Sequence, residues 1–260
     1  MPYLELAMDL PVLVALLAVA FTAGFIDAIA GGGGLLTLPA LLTAGLPPHL
    51  VLGTNKLSAT FGSATASFTF YRRKLFDPRQ WRHALLATAI GAILGAALAH
   101  LIPARWLNQL LPVVVFVCAL YVLFGQVPTT PREGPLSSKP HRQWPQGIGL
   151  GFYDGVAGPG TGAFWTVSTM LLYPLDLLRA SGVARTMNFV SNGTALVVFA
   201  IHGQVAWVLG CGMGLSLMLG AYLGARTAIH GGSRFIRPIF ILVVLALSLR
   251  LAWQHWFGTA

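Results

Sequence analysis

Seven apolar runs divide this chain, at 10–30, 51–71, 83–101, 105–125, 183–201, 205–229 and 235–256. Each is close to the ~20 residues that a helix needs to cross a hydrocarbon layer of ~30 Å. With 56% hydrophobic and only 9% charged residues, the chain has too little polar surface to cover a water-soluble globule. The 30 glycines and 16 prolines follow no three-residue period, which excludes a collagen-like or low-complexity chain. The expected class is an all-α polytopic membrane protein. The apolar N-terminal stretch follows Met1, Glu5 and Asp9 and lacks the basic flank of a signal peptide, so it is read as a first span. The net charge of +9 does not point to nucleic acid. Its Lys and Arg residues fall in short loops between apolar runs, where they set topology.

Three further apolar pieces, 35–45, 146–157 and 162–173, are too short to span comfortably, and each abuts a glycine cluster, Gly31 to Gly34 or Gly158 to Gly162. Irregular backbone at membrane depth is tolerated only against protein or a water-filled cavity. The expectation is broken or re-entrant helices beside a buried cavity. A proline-rich, charged stretch separates two halves, giving a first repeat at 1–126, a cytoplasmic linker at 127–145 and a second repeat at 146–260.

The halves resemble each other. Gly24-Phe25-Ile26-Asp27 recurs 127 residues later as Gly151-Phe152-Tyr153-Asp154. After a two-residue slip, an offset of 129 pairs Lys56 with Arg185 and Gly91-Ala92-Ile93-Leu94-Gly95 with Gly220-Ala221-Tyr222-Leu223-Gly224. Equivalent loops exchange their charge: Arg72-Arg73-Lys74 corresponds to the uncharged Ile201-His202-Gly203, and Arg226, Arg234 and Arg237 crowd a region where the first half has Arg105. The positive-inside rule then places 72–82, the linker and 230–237 on the cytoplasmic side, with antiparallel repeats, a transporter architecture. Seven to ten membrane segments are expected.

Asp27, Lys56, Asp154 and Arg185 fall in or beside the broken apolar region, where an ionisable group is costly and by default functional. One reading pairs Asp27 with Lys56 and Asp154 with Arg185 inside each half, or has each Asp cap a helix start at its glycine loop. The other brings Lys56 and Arg185 to an anionic substrate, with backbone N–H groups at Gly32, Gly33, Gly160 and Gly162 as further donors, and Asp27 and Asp154 as proton carriers or structural partners. Thr54, Asn55, Asn188 and Asn192 complete a candidate polar cavity, Asn188, Ser191 and Asn192 sharing one helix face. The pairs Gly91/Gly95 and Gly220/Gly224 read as close helix contacts. Trp81, Trp106, Trp144, Trp207, Trp253 and Trp256, at segment ends, read as interfacial anchors. Cys118 and Cys211 stand alone, and no metal or cofactor is expected. No GK[ST], HExxH or GxSxG occurs, so an enzyme is not expected.

The string from Gly24 to Pro39, with Gly53-Thr54-Asn55-Lys56 and Tyr71-Arg72-Arg73 after it, closely resembles the TauE/SafE sulfite-exporter family. Gly151 to Gly155 and Asn188 to Asn192 resemble its matching second-half pattern. The resemblance implies a multi-pass inner-membrane transporter of sulfite, sulfonates or related organic acids, driven by the proton gradient. Where members often carry Thr-Lys, this chain has Ala184-Arg185, which keeps the charge but replaces a point charge with a bidentate fork. The expected function is secondary transport of a small anion by alternating access, with the bilayer as the other partner and homo-oligomerisation left open. A passive anion channel is the alternative reading, and a non-transporting scaffold a third.

Overall fold

The computed structural model describes residues 9–99 and 140–256. Among them are eight helices and no strand: α1 (Leu10–Ala30), α2 (Gly34–Thr43), α3 (Pro48–Arg72), α4 (Arg82–Leu98), α5 (Pro140–Val156), α6 (Thr161–Leu172), α7 (Leu177–Ile201) and α8 (Trp207–Trp256). The run at 105–125, Trp106, Cys118 and most of the linker lie outside the described residues. So do the side chains of Trp253 and Trp256.

Each helix stops where its sequence stops supporting it. α1 ends at Gly31, whose φ of +82° an L side chain rarely adopts; its N–H caps the helix on the Asp27 carbonyl. α2 is only 10 residues long and contains Pro39. α3 opens on the Pro47-Pro48 pair, with proline in the first turn where its missing N–H costs nothing. α7 opens on Asp176, whose carboxylate accepts the Arg179 N–H at 2.9 Å. Both expected breaks at the glycine loops are present, between α1 and α2 and between α5 and α6.

The end of the linker takes a defined form, and two expectations are corrected. α5 begins at Pro140 and runs through Pro145, so the end of the assigned linker is helical; Gln143, buried there, accepts the Ala84 N–H and donates to the Gln80 carbonyl. The basic stretch at 230–237 is not a loop, because α8 continues through it with a kink at Gly232 (φ +64°). Trp81 is no interfacial anchor. It is 3% exposed and packs edge-on against Tyr173, ring centroids 4.8 Å apart. Trp144 and Trp207 are exposed at helix ends as expected.

Among the described residues, only α1 and Trp207–Ile236 of α8 are both long and apolar enough to cross a bilayer by composition. α3 and α7, at 25 residues each, have the length but bury polar and charged groups instead. They form the middle of the molecule. α3 packs on α7 and α8, and α7 packs on α3, α4 and α6, while α1 packs chiefly on α8 and α4 chiefly on α5.

Those last two interfaces are close backbone contacts made by corresponding residues. A Cβ at Gly91 would overlap the Ile148 carbonyl, at Gly95 the Phe152 carbonyl and at Gly151 the Thr88 carbonyl. At the other interface, Gly220 meets the Phe21 carbonyl, Gly224 the Phe25 carbonyl and Gly24 the Leu217 carbonyl. By the offsets of 127 and 129, every contact of one set maps onto a contact of the other. Small residues let helix backbones approach in this way where no water drives them together.

Candidate functional site

The two glycine breaks meet at the centre of the molecule. Gly31 lies against Gly162, the site of a Cβ at Gly31 being 2.9 Å from the Gly162 Cα. Between the breaks and the middles of α3 and α7 is a cavity of about 30 Å³, room for a water molecule or two. Asp27, Gly32, Gly33, Gly34, Thr37, Asn55 and Lys56 line it from the first half, and Asp154, Gly158, Gly160, Thr161, Gly162, Asn188 and Asn192 from the second. Of the 12 residues singled out from sequence, only Thr54 and Arg185 are not on its wall.

The charges pair across the halves and not within them. The Lys56 ammonium, 1% exposed, donates to the Asp154 carboxylate at 2.8 Å, to the Asp154 carbonyl at 2.5 Å and to the Asn192 side-chain oxygen at 3.1 Å. All three of its protons are therefore committed. Ser191 donates to the second Asp154 oxygen. Arg185 donates to the Asp27 carbonyl and lies 3.5 Å from the Asp27 carboxylate. The in-half pairings Asp27–Lys56 and Asp154–Arg185 are thus replaced by Lys56–Asp154 and Arg185–Asp27. The two ion pairs correspond to each other by the same offsets as the glycine contacts.

Asp27 also does what a cap would do. One of its carboxylate oxygens accepts the Gly32 and Gly33 N–H groups at 3.0 and 2.9 Å, so these two amides are already taken by a protein anion. In the second loop, Gly160 adopts φ +79°, and Tyr153 and Thr161 latch the loop by donating to the Pro159 and Gly158 carbonyls at 2.6 and 2.7 Å. The Gly160 and Gly162 amides make no hydrogen bond with another described residue.

Arg185 stands one glycine behind the cavity. A Cβ at Gly162 would sit 2.7 Å from its Nη2 and 2.9 Å from the Asn188 amide nitrogen. Arg185 is 0% exposed, yet its Nε and Nη2 find no acceptor, and neither does the Asn188 side-chain oxygen find a donor. Buried donors without partners are rare and costly. Two guanidinium donors without acceptors, the Gly160 and Gly162 amides and the unmet Asn188 oxygen therefore lie about the second glycine break, beside a cavity whose wall also holds the Asp27 and Asp154 carboxylates.

Thr54 serves elsewhere: its hydroxyl accepts the Ala206 N–H at 3.0 Å at the start of α8. Asn55 is held by Thr37, which donates to its side-chain oxygen at 2.5 Å. Ser191 and Thr37 are the site residues that sequence undervalued. Ser191 is visible from its spacing to Asn188 and Asn192, whereas nothing in the sequence distinguishes Thr37 from a helix threonine bonding its own backbone, which it also does.

Residues 16–251 match the family model described as "Sulfite exporter TauE/SafE". The chain is 41% identical over 246 residues to a "probable membrane transporter protein" of Sinorhizobium, covering 91% of this chain and 90% of that one. It is 36% identical over 261 residues to one of Haemophilus influenzae, covering 98% and 99%. It is also 36% identical over 248 residues to one of Escherichia coli, covering 92% of each. No solved structure matches the chain.

Proposed function

The chain is a membrane transporter of the sulfite exporter TauE/SafE family, not an enzyme, and from that premise we propose that it carries a small oxyanion or sulfonate, coupled to protons, by alternating access at the cavity between α3 and α7. The relatives are named as transporters; the anion, the coupling, the inner-membrane location and the antiparallel arrangement of the halves are proposed. The observation that carries it is Arg185, fully buried with two donors unmet beside the free amides of Gly160 and Gly162. An anion is the ligand class that satisfies such donors.

Coupling follows from charge balance. With Lys56, Arg185, Asp27 and Asp154 all ionised, the site is neutral, and every Lys56 proton already has an acceptor. An incoming anion reaches Lys56 only by displacing Asp154. The carboxylate is then left in a dry site with Ser191 as its donor and no counter-ion, a costly condition. A proton on Asp154 removes that cost, so anion and proton occupy the site together. The exchange of basic segments between the halves and the matched glycine contacts support two inverted repeats, whose rocking exposes the same site to either side.

The test is uptake of labelled sulfite, sulfonates and carboxylates into proteoliposomes, with and without an imposed proton gradient. Accumulation above equilibrium when the gradient is imposed is expected, and its loss in Lys56→Ala/Arg185→Ala. Downhill leakage alone would establish a channel.

A further inference from the structure

A second basic site lies away from the ion pairs. A cleft of about 1390 Å³ separates the C-terminal part of α3 from the middle of α8, and Arg72, Arg73, Arg226 and His230 line it together with Phe68 and Tyr222. Among the described residues, no carboxylate is on its wall. None of the three arginines pairs with a carboxylate among the described residues. Their contacts are with rings instead: the Arg226 guanidinium lies 4.5 Å from the Tyr222 ring centroid and that of Arg72 5.8 Å from Phe68.

Charges that only set topology need to be in a short flank, not gathered on one cleft. Here they come from two helices distant in sequence, and Arg226 and His230 stand one turn apart inside α8. The rim of the cleft continues into apolar surface, with Phe68 61% and Leu219 60% exposed and Tyr222 and Leu223 also open. Leu217, on the wall of the central cavity, packs its side chain where a Cβ at Gly62 would sit, and it does not line the cleft. Unpaired guanidinium groups beside acyl-facing surface match a ligand with an anionic head and hydrocarbon tails. We propose that this cleft binds an anionic phospholipid, Arg72 and Arg226 holding the phosphate, His230 donating to it, and the tails lying over Phe68, Leu219 and Leu223. Basic pockets between helices on the cytoplasmic side are suited to such headgroups.

The probe is dioctanoyl phosphatidylglycerol, titrated into the full chain in a neutral detergent and read by native mass spectrometry. Dioctanoyl phosphatidylcholine and glycerol phosphate are the comparison ligands. Two arginines near a membrane surface correspond to a loss of about 30-fold in affinity, expected for Arg72→Gln/Arg226→Gln, while Arg234→Gln, outside the cleft, leaves binding unchanged. An unchanged melting temperature without lipid shows that the double variant is folded; if it does not fold, Arg226→Gln alone is expected to lose about fivefold. Equal affinity for the two lipids, or full affinity in the folded variants, overturns the proposal. So does glycerol phosphate binding as tightly as the lipid, which would make the cleft a small-anion vestibule. Sulfite transport is not the readout, so failure here is separate from failure of the transport reading.

Discussion

Breaking the Lys56–Asp154 pair tests the cross-half architecture directly. At 2.8 Å, the Coulomb attraction is about 6 kcal/mol for an effective dielectric constant of ~20. Desolvation of both ions cancels much of this, yet removing one partner leaves the other charged and buried, which costs ~3–5 kcal/mol. Lys56→Met strands the Asp154 carboxylate with only Ser191 donating to it. Asp154→Asn strands the ammonium with Asn192 and one carbonyl. The double variant strands neither, so its destabilisation falls short of the summed singles by ~2–3 kcal/mol. The assay is reversible unfolding of the purified protein in mixed micelles with increasing denaturing detergent. In a parallel cycle, Lys56→Met with Asp27→Asn, charges that line the same cavity but share no bond, shows a smaller coupling than Lys56→Met with Asp154→Asn. A large coupling of Lys56 to Asp27 and none to Asp154 would refute the cross-half pairing.

Other perturbations separate packing from propensity. In α5, a Cβ at Gly149 meets nothing within 4 Å while one at Gly151 overlaps the Thr88 carbonyl; Gly149→Ala is therefore expected to gain ~0.5–1 kcal/mol from reduced chain entropy and Gly151→Ala to lose ~1–3 kcal/mol from overpacking, both read as melting temperature. Gly160→Ala, at φ +79°, is expected to cost ~1–2 kcal/mol and to weaken anion binding, measured by calorimetry. Asp176→Ala removes the side-chain cap of α7 and is expected to lower stability by ~1 kcal/mol, measured as thermal unfolding.

Helix positions, both glycine breaks and the four charges of the site, three of them buried and Asp27 half-buried, were legible because each is a local property of the chain: apolar length, helix-breaking residues, or an ionisable group where none is comfortable. The identity of the partners was not. A duplicated sequence offers each Asp a cation of its own half and one of the other, and only the packing of α3 and α7 against the other half's glycine break decides between them. Trp81 was misplaced, and the helical form of the linker's end was not visible, for a related reason. Both sit where a segment end, which sequence reads as interfacial, is covered by another element: Tyr173 packs on Trp81, and the polar start of α5 finds its partners in Gln80 and Ala84. Thr54 shows the opposite case, a polar residue next to Lys56 in sequence whose direction around the helix turns it to the backbone of α8.

The central claim is that an anion takes the place of Asp154 beside Lys56 and that a proton follows. Its most direct measurement is the number of protons taken up when a sulfonate, whose own charge is constant near neutral pH, binds the purified protein in weakly buffered solution with a pH-indicating dye. About one proton per bound anion is expected in the wild type, and none in Asp154→Asn, which still binds. Tight binding by the wild type with no proton uptake would contradict the account.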